Sequence, residues 1–131
     1  MSEDTQACSF GVASPYVELA VEVFGLLADA TRVRIILALR DGEQSVGRLA
    51  ELVGKSPTAV SQHLAKLRWG RIVQARQEGT HMYYRLASEH AARLVVDAVY
   101  QAEHSVDADP AHHRSAHPRF EDATPDTSAR P

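Results

Sequence analysis

Two helix-forming segments with a very short break between them, over residues 45–67, most constrain what this chain can fold into. Gly54 can end the first helix in a left-handed conformation, and Ser56 followed by Pro57 favours the start of the second. Because only Gly54-Lys55 lies between the two helices, the pattern predicts a helix-turn-helix. Four apolar residues share one face of the first helix: Val46, Leu49, Ala50 and Val53.

Helical spacing of apolar residues predicts three further helices. The first is expected over residues 15–28, and the second from a cap at Asp29 to about Arg40. The last is expected from a cap at Ser88 to about His104. In the helix that begins after Ser56, three residues should face inward: Val60, Leu64 and Leu67.

The spacing of apolar residues is no longer helical after Gly70, where β-branched and aromatic residues become frequent. Strands are predicted over Ile72–Gln77 and Thr80–Leu86, with Glu78-Gly79 between them as a tight turn. A two-stranded wing therefore follows the helix-turn-helix. The predicted fold is mainly α with a small β-hairpin (α+β), a winged helix-turn-helix.

The chain of 131 residues suits one such domain, expected over residues 15–104. Residues 1–14 are small and polar, and residues 105–131 contain several histidines and prolines, so both ends are predicted to be flexible. No run approaches the ~20 apolar residues of a membrane span, and the N-terminus shows no secretory signal. The single cysteine, Cys8, excludes an intramolecular disulfide. A cytoplasmic protein is expected.

Charge is unevenly distributed, although the net charge is −3. Six basic residues and one acidic residue lie between Lys55 and Arg85, so the remainder of the chain is acidic. A basic patch within an acidic protein is a plausible footprint for DNA phosphates, although a solvated charged face is an equally simple interpretation.

The second helix of a helix-turn-helix normally enters the major groove of DNA. Polar residues near its N-terminus are candidates for reading base edges, and basic residues around it are candidates for binding phosphates. The predicted base-reading residues are Ser56, Thr58, Ser61, Gln62 and His63. The predicted phosphate-binding residues are Lys55, Lys66, Arg68 and Arg76. His63 has packing as an equal alternative, and Ser56 can also act as a cap.

Four stretches resemble the ArsR/SmtB family of metal-sensing repressors: 27–32 (Leu-Ala-Asp-Ala-Thr-Arg), 49–54 (Leu-Ala-Glu-Leu-Val-Gly), 61–68 (Ser-Gln-His-Leu-Ala-Lys-Leu-Arg) and 83–86 (Tyr-Tyr-Arg-Leu). The resemblance implies a homodimer joined through its first and last helices, bound to an imperfect inverted repeat in double-stranded DNA. Trp69 stands where the family often has a small residue, and we interpret it as local packing. No constellation of a nucleophile and a base appears, so an enzyme is not expected.

Five of the seven histidines lie at or after residue 90, which raises the question of a metal site. His90 and His104 are fourteen residues apart, about 21 Å along a helix at ~1.5 Å per residue, too far to share one ion within a chain. On a helix, His90 and His104 would lie on nearly the same face. Two such helices packed antiparallel across a two-fold axis would form two equivalent sites.

The ligand set itself is implied by the resemblance. Zinc-sensing members carry two ligands at positions that Ser88 and Gln101 occupy here, whereas the pattern is similar to the nickel/cobalt-sensing members. The implied ligands are His90, Glu103, His104, His112 and His113. Five nitrogen and oxygen donors suit six-coordinate nickel(II) or cobalt(II), with zinc(II) as the alternative. A metal-independent DNA-binding protein with an inert histidine tail is the other alternative.

Overall fold

The computed structural model describes residues 10–107, which fall into two units, one up to Val95 and one from Val96. The last helix, α5, crosses the boundary as His90–Asp107. The elements before it are α1 (Val17–Leu27), α2 (Ala30–Leu39), β1 (Gln44–Ser45), α3 (Val46–Val53), α4 (Pro57–Trp69), β2 (Val73–Glu78) and β3 (His81–Leu86). The predicted order of helices and wing strands is confirmed.

Side-chain caps fix where three of the helices begin. The side-chain oxygens of Asp29, Ser45 and Ser56 each accept a hydrogen bond from the backbone N–H three residues later, at 3.0–3.1 Å. These bonds satisfy N–H groups that have no partner within the helix. Gly54 ends α3 with φ of 69°, in the left-handed region that favours glycine. The short turn between α3 and α4 is therefore set by local chemistry that the sequence displays.

The sheet has three antiparallel strands in the order β1-β3-β2, one more than the predicted wing. The added strand is the two-residue β1, in which Gln44 pairs with Tyr84. The predicted turn at Glu78-Gly79 is wrong by one residue, because Glu78 pairs with His81 across a two-residue loop. Gly79 (φ 62°) takes the first position of that loop, where tight hairpins use a positive φ.

Helix α4 packs into the core of the first unit through one face only. The three residues predicted to face inward from this helix are completely buried: Val60, Leu64 and Leu67. They join apolar residues of α2, α3 and the sheet, among them Ile35, Ile36, Leu49 and Val73. The opposite face of α4 is left exposed.

The second unit is described only as far as Asp107 and consists of helix, extending beyond the predicted end at His104. The ring of His104 lies 5.9 Å from that of Tyr100. Between residues 10 and 107, no helix is long and apolar enough to cross a membrane. Cys8, His112 and His113 lie outside the described residues, and the flexible ends remain predictions.

Candidate nucleic-acid interface

The outward face of α4 presents a row of polar side chains. Since a helix turns about 100° per residue, Thr58 and Gln62 lie opposite the buried Val60, Leu64 and Leu67. Thr58, Ser61 and Gln62 are exposed, with Lys66 beside them. The structure therefore brings four of the predicted contact residues onto the accessible side of one helix.

The ends of α4 carry the other exposed candidates. Lys55 and Ser56 precede its first turn, and Lys66 and Arg68 lie in its last turn. Ser56 also caps the helix, since its hydroxyl accepts a hydrogen bond from the backbone of Ala59. Lys66 and Arg68 sit favourably at the C-terminal end of the helix dipole, and all three basic residues stay accessible to an anionic partner.

His63 differs from its neighbours because it is half-buried and engaged within the chain. Its Nδ1 lies 3.1 Å from Arg32 Nη1 and 3.8 Å from Asp29 Oδ2. The Nε of Arg32 donates to the carbonyl of Leu26 at 2.6 Å. The backbone N–H of Arg32 is the main reason that the pKa of Asp29 is lowered, with the charge of Arg32 adding to it. Arg32 thus joins the end of α1 to the middle of α4.

Arg76, in the wing, is also engaged. Its Nη2 and Nε donate to Glu43 at 2.7 and 3.0 Å, and its Nη1 donates to Glu78 at 2.7 Å. The guanidinium lies 4.9 Å from the centre of the Tyr83 ring. The pKa of Arg76 is raised, chiefly by its hydrogen bonds to Glu43 and then Glu78. A phosphate would have to compete with two carboxylates for this side chain.

The pairing of Glu43 with Arg76 predicts a pH-dependent contribution to stability. Hydrogen bonds from Arg76 hold the pKa of Glu43 below its usual value. A carboxyl with a lowered folded-state pKa stabilises the fold above its unfolded value, ~4.3, and this is lost as the pH falls through the folded value. Glu43→Gln should therefore melt below the wild type at pH 6, and the gap should close as the pH falls well below ~4.

The melting temperatures of the wild type and Glu43→Gln, measured between about pH 3 and pH 7, test this prediction, because carboxyl groups titrate within that range. Glu51→Gln is the matched control, because Glu51 pairs with Arg48 at 3.1 Å on an exposed helix face. Such pairs contribute little, so its melting temperature should stay near that of the wild type throughout. A difference in melting temperature between Glu43→Gln and the wild type that is the same at every pH would contradict a stabilising role for ionised Glu43.

The candidate metal ligands that the structure describes are His90, Glu103 and His104, all on α5 and all exposed. Glu89, next to His90, forms an ion pair with Arg93, with its Oε2 2.9 Å from Arg93 Nη2. Over residues 10–107, no three His, Cys, Asp or Glu side chains of one chain lie together as a metal site would require.

Two residues near the C-terminal end of α4 differ from the sequence-based expectations. The predicted local packing of Trp69 is wrong, since its side chain is 90% exposed. Arg71, which was not among the predicted contacts, has φ of 63° and is exposed beside it. The helical spacing from Thr58 and Gln62 places Trp69 on the outward face, and this spacing is the signal that could have identified it.

Comparison with known proteins supports a regulatory role. Residues 29–75 match the family model described as "Bacterial regulatory protein, arsR family". The chain is 56% identical over 98 residues to the HTH-type transcriptional regulator KmtR of Mycobacterium tuberculosis, covering 75% of each chain. It is 35% identical over 86 residues to the HTH-type transcriptional repressor SmtB of the same species, covering 66% of this chain and 64% of the repressor.

Solved structures give the same fold. A homodimeric winged helix-turn-helix DNA-binding domain from Mycobacterium bovis matches with a TM-score of 0.62 at 31% identity, over 76% of this chain and 96% of that one. The AntR antimony-specific transcriptional repressor matches with a TM-score of 0.65 at 32% identity, over 72% and 87%. The predicted winged helix-turn-helix is confirmed, and these relatives are regulators rather than enzymes.

Proposed function

The chain belongs to the arsR family of bacterial regulatory proteins, and from that premise we propose that it is a metal-responsive repressor. It is a winged helix-turn-helix transcriptional regulator. We propose that it binds operator DNA as a homodimer and dissociates when nickel(II) or cobalt(II) binds. The observation that carries the DNA-binding part is the polar, exposed face of α4 opposite a completely buried one.

We propose two roles for the residues of this surface. Residues that are exposed contact DNA directly, whereas His63 and Arg76, which are engaged within the chain, position the helix and the wing. Direct contacts to phosphates set affinity and salt dependence, and those to base edges set sequence choice. The proposed direct contacts are Lys55, Ser56, Thr58, Ser61, Gln62, Lys66 and Arg68.

The dimer is supported by an exposed apolar stripe on α1. Val17, Val21 and Phe24 recur at helical spacing and are all exposed. A contiguous apolar stripe on a small domain indicates an interaction surface. Since the M. bovis relative is described as a homodimer, we propose that α1 pairs with its counterpart across a two-fold axis.

The donors on α5 fit a metal of borderline softness. His90, Glu103 and His104 offer two imidazoles and one carboxylate, and helix α5 contains no cysteine. We propose that His90 of one protomer and Glu103 and His104 of its partner form each site, completed by His112 and His113. Nitrogen and oxygen donors suit nickel(II) and cobalt(II), and zinc(II) is the alternative. A bound ion would tie the two helices together by coordinate bonds.

The dimer would release DNA if bound metal held its two recognition helices at a spacing that does not match the two half-sites. Half-sites lie about one turn of DNA apart (~34 Å), so a modest rotation is enough to disfavour binding. Couplings of this kind are typically 5–150-fold, and linkage makes them reciprocal, so that DNA should weaken metal binding by the same factor.

Fluorescence anisotropy at fixed salt tests this proposal. The probe is a labelled duplex of about 30 base pairs, selected from a random library by the metal-free protein and long enough for two half-sites. Saturating nickel or cobalt should raise the apparent Kd at least fivefold. An unchanged Kd at saturating metal would leave a DNA-binding protein with an inert tail.

Cobalt(II) absorption distinguishes the metals. Weak visible bands that change in a chain carrying His112→Ala and His113→Ala would support a five- or six-coordinate site. Intense bands that these substitutions do not change would indicate a tetrahedral zinc-type site that does not include His112 and His113.

A further inference from the structure

Trp69, the only tryptophan of the chain, ends the recognition helix with its side chain 90% exposed. A large aromatic side chain left in water forgoes a substantial stabilisation from burial. A single exposed apolar residue is nevertheless common on protein surfaces. Any function of Trp69 therefore depends on its position in α4 and on its neighbours.

The position of Trp69 continues the surface proposed to face DNA. Thr58, Gln62, Ala65 and Trp69 follow one another at helical spacing and form one stripe, opposite the buried residues of α4. Trp69 lies about 16 Å along the helix from Thr58, at ~1.5 Å per residue. In homeodomains the C-terminal end of the recognition helix contacts the DNA backbone, and the same contact is open to the far end of this face.

The surroundings of Trp69 are basic. An open concavity of about 470 Å³ lies where the end of α4 meets β3, and it is lined by Ala65, Arg68, Trp69, Arg71 and Tyr84. Two guanidinium groups and no carboxylate border it. Within residues 10–107, neither arginine forms an ion pair with an acidic side chain. An exposed aromatic side chain that shares a concavity with two accessible guanidinium groups suits a DNA backbone, since guanidinium groups bind phosphates and the ring can cover a sugar.

We propose that Trp69, Arg68 and Arg71 form a second DNA contact, in which the indole packs against a deoxyribose of the backbone and the arginines bind the flanking phosphates. This inference rests on the proposed DNA-binding function and extends it from the N-terminal half of α4 to its end. The indole contact adds affinity that depends little on salt. The arginine contacts release counterions and therefore add affinity that falls as salt rises.

Intrinsic fluorescence reports directly on the contact because Trp69 is the only tryptophan. The metal-free, full-length protein is titrated with the selected duplex, and its emission and acrylamide quenching are followed beside the anisotropy of the label. We expect the emission to change and the quenching to fall in parallel with binding. Unchanged emission at saturating duplex would overturn the proposal.

Substitutions separate the two kinds of contact. Trp69→Ala should weaken binding on the order of tenfold, because burial of the indole is lost, with little change in salt slope, and Trp69→Phe should restore part of it. Arg71→Ala should reduce the slope of log K against log salt by about 0.9 for each phosphate that the protein no longer neutralises. Phe10→Ala is the matched control, because Phe10 is 89% exposed but lies before α1.

The outcomes also separate this inference from the proposed function. If the wild-type chain fails to bind any selected duplex, both are overturned. If it binds, but Trp69→Ala binds equally well, only the role of Trp69 is overturned. Sedimentation of Trp69→Ala gives a further test, since a variant that loses DNA affinity because its dimer dissociates would assign Trp69 to a protein interface and overturn the DNA contact.

Discussion

A chain carrying His104→Ala is expected to bind the selected duplex as the wild type does and to remain bound when nickel is added. His104 is exposed on α5 and has no hydrogen bond to another described residue, so its removal should leave the fold and the DNA-binding surface intact. Loss of one direct ligand should cost more than the 10–100-fold in metal affinity typical of outer-shell partners. The metal-dependent change in Kd should therefore disappear at nickel concentrations that release the wild type.

Two further variants sharpen this experiment. His90→Ala should behave as His104→Ala does, because the proposed site takes one of these two histidines from each protomer. His81→Ala is the control, since His81 is an exposed histidine of the wing and lies outside α5. Release of His104→Ala at the same nickel concentration as the wild type would remove His104 from the ligand set.

The helices were predictable because their signals are local. Caps at Asp29 and Ser56 and the left-handed Gly54 lie within a few residues of the boundaries they set. The inward face of α4 followed from spacing alone, since Val60, Leu64 and Leu67 are all completely buried. Such features need no knowledge of the rest of the chain.

Features that depend on distant residues were not predictable in the same way. Strand β1 has two residues and no periodicity of its own, and it exists because Gln44 pairs with Tyr84. Arg76 resembles a free basic residue in the sequence, yet its partner Glu43 lies thirty-three positions earlier. Both cases arise from tertiary pairing, which local patterns do not encode.

The error at Trp69 has a different origin. Packing was inferred because related proteins often have a small residue at this position, whereas the helical spacing in this chain places it opposite the core. The structure agrees with the spacing. Where a residue departs from its family, its own periodicity is the better guide to its environment.

Arg32→Ala is expected to lower both the free energy of unfolding and the affinity for DNA. Arg32 donates from Nε to the Leu26 carbonyl at 2.6 Å and contacts His63 Nδ1 from Nη1 at 3.1 Å. Removing the guanidinium leaves both acceptors without this donor in a partly buried position, which typically costs about 1–3 kcal/mol. Because these bonds join α1 to α4, their loss should also loosen the helix that presents Thr58 and Gln62.

Urea unfolding and duplex anisotropy, both at a temperature well below the melting transition, measure the two effects of Arg32→Ala. Arg34→Ala is the matched control, because Arg34 is exposed on the same helix and forms no side-chain hydrogen bond to a described residue. Arg32→Lys should recover little, since an ammonium group cannot span two acceptors as the guanidinium fork does. Equal losses for Arg32→Ala and Arg34→Ala would show that charge on α2, rather than the link from α1 to α4, is what matters.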